Sequence, residues 1–324
     1  MALFSKDKSD LNDQQWERSV LEKVALASVV EQRRARRWGI FFKSLFVAYI
    51  IVLSSIAYSP LGDGSKLSGG GPHTAVIDVK GIIVSGGEAD AETIIESLHN
   101  AVNDPNTKGI ILRVNSPGGS PVQSSYVYKA IVDIRKNNPD IPVHAVVEDL
   151  CASGGYYIAS AVDKIFVNES SIVGSIGVVM NGFGFTEAMK NLGVERRLYT
   201  AGEHKGFLDP FSDVNVGEKA HVQSMLNDIH QEFIKAVKEG RGERLQNNPD
   251  IFSGLVWAGS ESIQLGLTDA IGNVQSVAKD EIGEENIVDF TAKKPLFERL
   301  AKSMGAAMAE FTSRLASMSH NNLF

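Results

Sequence analysis

The fold of this protein is decided by alternating strand and helix patterns over residues 109–161, GIILRVNSPGGSPVQSSYVYKAIVDIRKNNPDIPVHAVVEDLCASGGYYIASA. Gly109 to Val114 is apolar and β-branched, as a buried strand requires, and residues 120–137 follow helical periodicity. A second apolar run, Pro142 to Val147, precedes a helix over residues 153–161. Strands that alternate with helices at this spacing predict parallel β/α units joined by short connections.

The same alternation continues on both sides of this run. Five further strands are predicted, at residues 75–79, 81–84, 164–167, 171–179 and 194–199. A helix is predicted through Ile94 and Leu98, and a long amphipathic helix over residues 214–241. The sequence therefore predicts an α/β domain over residues 74–292.

Composition indicates a globular protein. The 324 residues are 43% hydrophobic and 22% charged, which is enough apolar material for one core or two small ones. The formal net charge of -7 gives no reason to expect a nucleic-acid partner. The single cysteine, Cys151, excludes an intrachain disulfide, and the histidines show no metal-ligand spacing. We predict no metal and no cofactor.

An apolar segment near the N-terminus predicts a membrane anchor. Residues 38–58, WGIFFKSLFVAYIIVLSSIAY, are long enough to span a bilayer, and their one charge, Lys43, lies close to the basic end. A cleaved signal peptide and a buried core helix are the alternatives. A long polar segment precedes the apolar run and no A-x-A cleavage site follows it, so an uncleaved anchor is predicted.

Charge on either side of the span predicts its orientation. Four arginines, at 33, 34, 36 and 37, precede it, and only Lys66 follows closely, so the N-terminus is expected in the cytoplasm. The chain then divides into five predicted segments: 1–37 cytoplasmic, 38–59 transmembrane, 60–73 a flexible linker, 74–292 the α/β domain, and 293–324 an amphipathic segment. In a bacterium with two membranes, the α/β domain would lie in the periplasm.

Two motifs carry candidate chemistry. In Cys151 to Tyr157, CASGGYY, a serine precedes two glycines where a strand ends and a helix begins, so Ser153 is a candidate nucleophile and the Gly154 amide a candidate oxyanion donor. Lys205, in AGEHKG, is a candidate base. A lysine with an ordinary pKa of about 10.4 can act as a base near neutrality only when it is desolvated, and Phe207 and Leu208 are the apolar neighbours expected to do this.

These residues resemble the signal peptide peptidase family of membrane-anchored Ser-Lys proteases, in its short form with one catalytic domain per chain. The resemblance runs from about residue 74 to residue 272, where SGLVWAGSESIQLGLTDAIG, residues 253–272, resembles the family's closing signature of a strand, a helix and a turn. It implies a ClpP/crotonase-like fold, with Ser153 as nucleophile and Lys205 as base. It also implies that Ser175, in IVGSIGV, orients the lysine. The turn NSPGG, residues 115–119, resembles the turn that offers backbone amides to the oxyanion in this fold, with Gly118 or Gly119 as donor.

The resemblance implies peptide substrates, namely cleaved signal peptides, with misfolded exported proteins as a second substrate class, and an inner-membrane location. It further implies a homo-oligomer in which Lys205 of one subunit approaches Ser153 of the next, because long members of the family carry the two residues on different repeats. Three alternatives remain open at this point. They are a Cys151 thiol nucleophile with His204 as its base, a crotonase-type acyl-CoA enzyme on the same fold, and an inactive membrane scaffold.

Overall fold

The computed structural model describes residues 31–52 and 71–292, which belong to two separate units. Helix α1, residues 31–52, contains the four arginines and the first part of the predicted span. Among the described residues, no helix is both long enough and apolar enough to cross a membrane. Residues 53–59 of the predicted anchor lie outside the described residues, as do residues 1–30, most of the linker and the C-terminal segment after residue 292. The anchor therefore stays a prediction.

Residues 71–292 form a mixed α/β unit around one sheet of eight strands. The strands are β1 (His73–Lys80), β2 (Thr107–Ser116), β3 (Val143–Ala152), β4 (Lys164–Val167), β5 (Ile172–Gly174), β6 (Val256–Ala258), β7 (Ala270–Ile271) and β8 (Ile287–Asp289). Their order is β6-β5-β3-β2-β1-β8, with β4 pairing β3 and β7. Every pair is parallel except β5 with β6. This confirms the predicted α/β class.

Seven α-helices accompany these strands within residues 71–292. They are α2 (Ala91–Asn103), α3 (Pro121–Asn137), α4 (Gly154–Ala159), α5 (Thr186–Asn191), α6 (Val216–Arg241), α7 (Gly259–Gln264) and α8 (Val274–Val277), the last continued by a π-helical turn, Ala278–Ile282. Helix α3 begins where local chemistry favours it, because Ser120 caps its first turn and Pro121 occupies the first helical position. Asp90 caps α2 in the same way.

The core follows the two-residue period of the strands. On β1, Ala75, Ile77 and Val79 point into the main core, whereas Asp78 and Lys80 lie on the opposite face of the sheet. Helices α2, α3 and α4 supply the other side of the main core. A smaller apolar cluster on the opposite face packs against α8 and the π-helical turn.

The long strand β3 brings two later segments to one place. Its first half, His144 to Val146, pairs with β4, and its last residues, Leu150 to Ala152, pair with β5. The two neighbours therefore share one edge of β3 at different heights. As a result, the residue after β3, Ser153, and the residue after β5, Ser175, lie at the same end of the sheet.

Three predicted strands differ from the structure. Residues 81–84 make only an isolated bridge at Ile83, and residues 171–179 are a strand only over Ile172–Gly174. Residues 194–199 form no strand: they are exposed, and no described strand pairs with them. A strand needs a hydrogen-bonding neighbour, which an apolar pattern alone does not supply.

The closing turn of the domain is held by a buried ion pair. Arg241, at the end of α6, is fully buried and binds Asp269 through two hydrogen bonds of 2.8 and 2.9 Å. Asp269 also accepts the Ile165 amide at 2.7 Å. Burial alone would raise the pKa of Asp269, but the hydrogen bonds and charge of Arg241 hold that pKa below its ordinary value.

Candidate active site

Ser153 occupies a strained turn between β3 and α4. Its backbone angles are φ 51° and ψ −121°, in a region that non-glycine residues adopt only when the surrounding structure enforces it. Its amide donates to the Gly174 carbonyl at 2.8 Å, and its carbonyl accepts from Tyr157 at 2.9 Å to start the helix. Such strained positions cluster at functional sites. The side chain is half-buried and lines a cavity.

The cavity beside Ser153 has a volume of about 440 Å³ and no charged residue in its lining. Its aromatic floor is formed by Tyr157 and Phe233, whose rings stack at 4.8 Å. The remaining lining residues are Gly119, Pro121, Gly154, Ser175, Gly177, Val178, Val179, Ile229, Ser253 and Gly254. The site therefore offers an apolar surface next to a serine hydroxyl.

Two backbone amides next to Ser153 have no acceptor among the described residues, those of Gly119 and Gly154. A Cβ placed on Gly154 would lie 3.2 Å from the Gly119 nitrogen, so the two positions are close together. Gly154 is also the first residue of α4, where helix amides are unpaired. This pair can stabilise an oxyanion that forms beside Ser153.

The structure corrects one predicted oxyanion donor. The Gly118 amide already donates to Ser116 Oγ at 3.1 Å, so it is not available to a substrate. Gly118 serves packing instead, since a Cβ on it would lie 2.7 Å from the Ser153 Cβ and its φ is +95°. Gly119 is equally constrained, because a Cβ there would lie 2.1 Å from the Ile83 carbonyl oxygen. The turn must contain glycine to press against the Ser153 turn.

Ser175 lines the same cavity from the end of β5. Its φ is +53°, directly after Gly174 with φ +112°. Its amide donates to the Leu255 carbonyl at 2.7 Å. The chain therefore turns sharply at the point where Ser175 and Ser153 face one cavity. The structure brings these two predicted residues together; their roles stay predictions.

Lys205 is not part of this cavity within one chain. It lies in a turn whose backbone bond runs from the Lys205 amide to the Gly202 carbonyl at 3.1 Å, and its side chain is exposed. Phe207 and Leu208, the neighbours expected to desolvate it, are 38% and 50% exposed. The surrounding residues 179–216 carry further exposed apolar side chains, and α5 within them buries no residue. The exposed set includes Val179, Phe183, Leu192, Tyr199, Val214 and Val216.

The thiol alternative does not fit the geometry. Cys151 is fully buried in the main core, and burial raises the pKa of its thiol far above the ordinary value. His204 is exposed beside Lys205. Among the residues that the structure describes, no group of three or more His, Cys, Asp and Glu side chains is arranged to hold a metal ion.

Sequence reasoning missed part of the cavity. Ile229 and Phe233 lie on the apolar side of the predicted amphipathic helix, but nothing in that pattern indicates that they border the serine site. Ser253 and Gly254 lie in the segment 253–272, whose expected strand, helix and turn likewise give no indication of a cavity. The spacing of four residues between Ile229 and Phe233 on α6 is the one available signal, and it does not distinguish a cavity wall from ordinary core.

Residues 135–287 match the profile of peptidase family S49, a range that includes Ser153, Ser175 and Lys205. The chain is 41% identical over 215 residues to "Na(+)/H(+) antiporter NhaA" of Brucella abortus, covering 65% of this chain but 29% of that one. It is 29% identical over 223 residues to "Putative signal peptide peptidase SppA" of Enterococcus faecium, covering 66% of this chain and 64% of that one.

It is also 32% identical over 204 residues to "Protease 4" of Haemophilus influenzae, covering 61% of this chain and 32% of that one. The chain thus spans less than two thirds of the length of each of these relatives. The antiporter's name describes a protein of which the matched part is 29%, so it carries no argument about this chain. The profile match and the two peptidase relatives agree with the motifs around Ser153, and together they support the assignment of this chain to the signal peptide peptidase family, with residues 135–287 matching peptidase family S49.

Proposed function

We propose that this protein is a membrane-anchored serine endopeptidase that hydrolyses remnant signal peptides, with Ser153 as nucleophile and Lys205 as base. One observation carries the proposal: a strained serine stands next to two unengaged amides, at the mouth of an uncharged cavity. The parallel sheet with strand-end glycine turns is the arrangement expected of a ClpP/crotonase-like fold. No cofactor is required.

The reaction would proceed by acyl transfer. Lys205 Nζ takes the Ser153 hydroxyl proton while Ser153 Oγ forms a bond to the peptide carbonyl carbon, and the Gly119 and Gly154 amides donate to the resulting oxyanion. The intermediate then collapses and the carbon–nitrogen bond breaks, with the proton passing to the leaving amine. A water molecule releases the acyl group by the same route, and Ser153 recovers its proton.

Lys205 would reach Ser153 from a neighbouring subunit. Within one chain it is exposed and outside the cavity, although the chemistry needs it desolvated beside the serine. The exposed apolar side chains of residues 179–216 supply a surface that association would bury. A homo-oligomer would then complete each site from two chains and shield the lysine at the same time.

The cavity favours apolar substrates. Tyr157, Phe233 and Ile229 offer apolar contacts, and the absence of a lining charge leaves nothing to pair with a charged side chain. The apolar core of a signal peptide has the matching chemistry. An acyl-CoA enzyme on the same fold would also use an oxyanion site, but that function would not need the strained Ser153 as a nucleophile.

Acylation of Ser153 tests the proposal directly. The full-length protein in detergent should react with a fluorophosphonate probe and cleave synthetic signal peptides, with products identified by mass spectrometry. Ser153→Ala should abolish both, whereas Ser253→Ala, which changes another serine of the same cavity, should leave labelling intact. Labelling and cleavage that persist in a folded Ser153→Ala protein would exclude this mechanism.

The proposed location is the cytoplasmic membrane, with the α/β domain on its outer side. The arginines before the apolar segment support this orientation. Protease added to intact spheroplasts should degrade residues 74–292. Degradation only after lysis would place the domain in the cytoplasm.

A further inference from the structure

The turn that carries Ser175 is held by a contact from outside the catalytic motifs. Gly174 and Ser175 both have positive φ, and two such residues in succession do not hold their shape without support. Three backbone bonds supply part of it. The Ser153 amide donates to Gly174, the Ser175 amide donates to Leu255, and the Gly177 amide donates to Ser175, at 2.8, 2.7 and 2.9 Å.

The fourth contact comes from helix α6. His230 Nε2 lies 3.0 Å from the carbonyl oxygen of Ile176, the residue between Ser175 and Gly177. A carbonyl can only accept, so Nε2 carries the proton and donates. The Ile176 side chain itself is fully buried in the main core. His230 thus joins residues 54 positions apart in the sequence.

The bond from His230 fixes the orientation of one peptide plane. The Ile176 carbonyl and the Gly177 amide belong to the same planar peptide group. His230 donates to the carbonyl of this group, and the amide of the group donates to the Ser175 carbonyl, so both ends of the plane are hydrogen-bonded. Gly177 and the next residue, Val178, line the cavity. Rotation of this plane would move both the cavity wall and the backbone of Ser175.

Helix α6 is a rigid reference for this contact. Phe233 and Val237, one and two turns after Ile229, are buried in the main core, and Phe233 stacks on Tyr157. His230 therefore extends from an element whose position is set by packing. A polar group that orients an active-site residue from a packed helix is the usual means of preorganising a site.

We propose that His230 is a positioning residue for the peptidase reaction: it holds the Gly174–Gly177 turn so that the Ser175 hydroxyl faces the site of Ser153. The proposal rests on the proposed function of that site. His230 is not among the residues that line the cavity. Loss of its bond should slow the chemical step more than it weakens substrate binding.

Three variants of the full-length protein test this role. His230→Leu removes the donor and introduces an apolar side chain of similar length, whereas His230→Gln retains an N–H donor. Gln231→Leu is the matched control, because it introduces the same leucine at the next position, where the side chain is exposed. We expect His230→Leu to lower kcat for a synthetic signal peptide about tenfold with KM within twofold, since one hydrogen bond is lost. His230→Gln should recover most of kcat, and Gln231→Leu should match wild type.

Amide hydrogen exchange supplies a readout that does not depend on activity. Exchange at residues 175–178 should accelerate in His230→Leu, return toward wild type in His230→Gln, and stay unchanged in Gln231→Leu. An active wild type with kcat unaffected by His230→Leu would overturn the positioning role and leave the proposed function standing. Equal loss in the Leu and Gln variants would also overturn it. A folded wild type that neither cleaves peptides nor reacts with the serine probe would overturn both proposals.

Discussion

Replacing Gly154 by alanine should separate the packing role of this glycine from its role in catalysis. An added Cβ would lie 2.4 Å from Ser124 Oγ, a contact that real Cβ atoms do not make. Ser124 is fully buried on α3, and its hydroxyl donates to the Ser120 carbonyl at 3.0 Å. The methyl group therefore has to displace the Ser124 hydroxyl from its hydrogen bond or move two packed helices apart. We expect a loss of about 1–3 kcal/mol of unfolding free energy.

Ser124→Ala relieves this contact. With the hydroxyl removed, the nearest remaining neighbours of the new methyl are the Gly119 nitrogen at 3.2 Å and Ile83 Cδ1 at 3.4 Å. The double variant Ser124→Ala/Gly154→Ala should then unfold within a few degrees of Ser124→Ala alone. The single Gly154→Ala should unfold lower by about 2–4 °C for each kcal/mol lost, as expected for a domain of this size.

Activity should not recover with stability. An oxyanion would sit about 2.7–3.1 Å from its donors, and a methyl 3.2 Å from the Gly119 nitrogen competes for that space. Loss of one such donor lowers kcat by about 100- to 1000-fold. The double variant should therefore be folded, close to Ser124→Ala in thermal stability, and slow in both peptide hydrolysis and fluorophosphonate labelling.

Circular dichroism melting and single-turnover acylation measure the two effects separately, with Ser124→Ala as the matched control. An acylation rate of the double variant within threefold of Ser124→Ala would refute the oxyanion assignment of the Gly119 and Gly154 pair. A double variant that melts as low as Gly154→Ala would show that the contact with Ser124 does not limit stability.

Ser153→Ala and Lys205→Ala should each remove nearly all peptidase activity, because nucleophile and base act as a unit, and neither should lower the melting temperature. When the two inactive proteins are dissociated and reassembled together, activity should return; verified mixed oligomers that stay inactive would place the dyad within one chain. Asp269→Asn should cost about 3–5 kcal/mol by leaving Arg241 buried without its partner. The pKa of Asp269 is lowered in the folded protein, so the ion pair stabilises the fold fully above the ordinary carboxyl pKa of about 3.9, and this stabilisation is lost as the pH falls through the folded pKa. Urea unfolding at a series of acid pH values should therefore show a smaller loss of unfolding free energy in Asp269→Asn than in the wild type. Burial lowers the pKa of His144, so as the pH falls below about 6.5 the unfolded chain takes up a proton on this histidine at a higher pH than the folded protein does, and the unfolding free energy should decrease. His144→Leu should reduce the pH dependence of the unfolding free energy between about pH 7.5 and about pH 5.

The helices that frame the site could be predicted because their signals are local. Ser120 and Pro121 indicate where α3 begins, and the apolar periodicity of α2 and α6 indicates which face of each helix is buried. The position of the Ser153 turn could also be predicted, since an apolar strand ends there in a serine and two glycines, and glycine permits a sharp turn. These features depend on neighbours in the sequence.

The parts that could not be predicted depend on residues far apart in the chain. The run SIVGSIGVV appeared to be one strand, but the positive φ of Gly174 and Ser175 turns the chain after three strand residues. An apolar pattern does not encode that turn. The contact of His230 with Ile176 is invisible for the same reason, because a lone histidine on an amphipathic helix has no distinguishing spacing.

The absence of a strand at residues 194–199 and the exposure of Lys205 have one common explanation under the proposed function. A predicted strand that pairs with no strand among the described residues, beside a lysine whose proposed role requires burial, matches a surface that a second copy would complete. The nucleophile half behaves differently, since Ser153, Gly119 and Gly154 are fixed by contacts within one chain. The oxyanion site would therefore be preformed in each subunit, while the base would become effective only on association. Under this proposal, contacts within one chain are sufficient to hold Ser153 and its amide donors, whereas Lys205 requires contacts that only a second chain would supply.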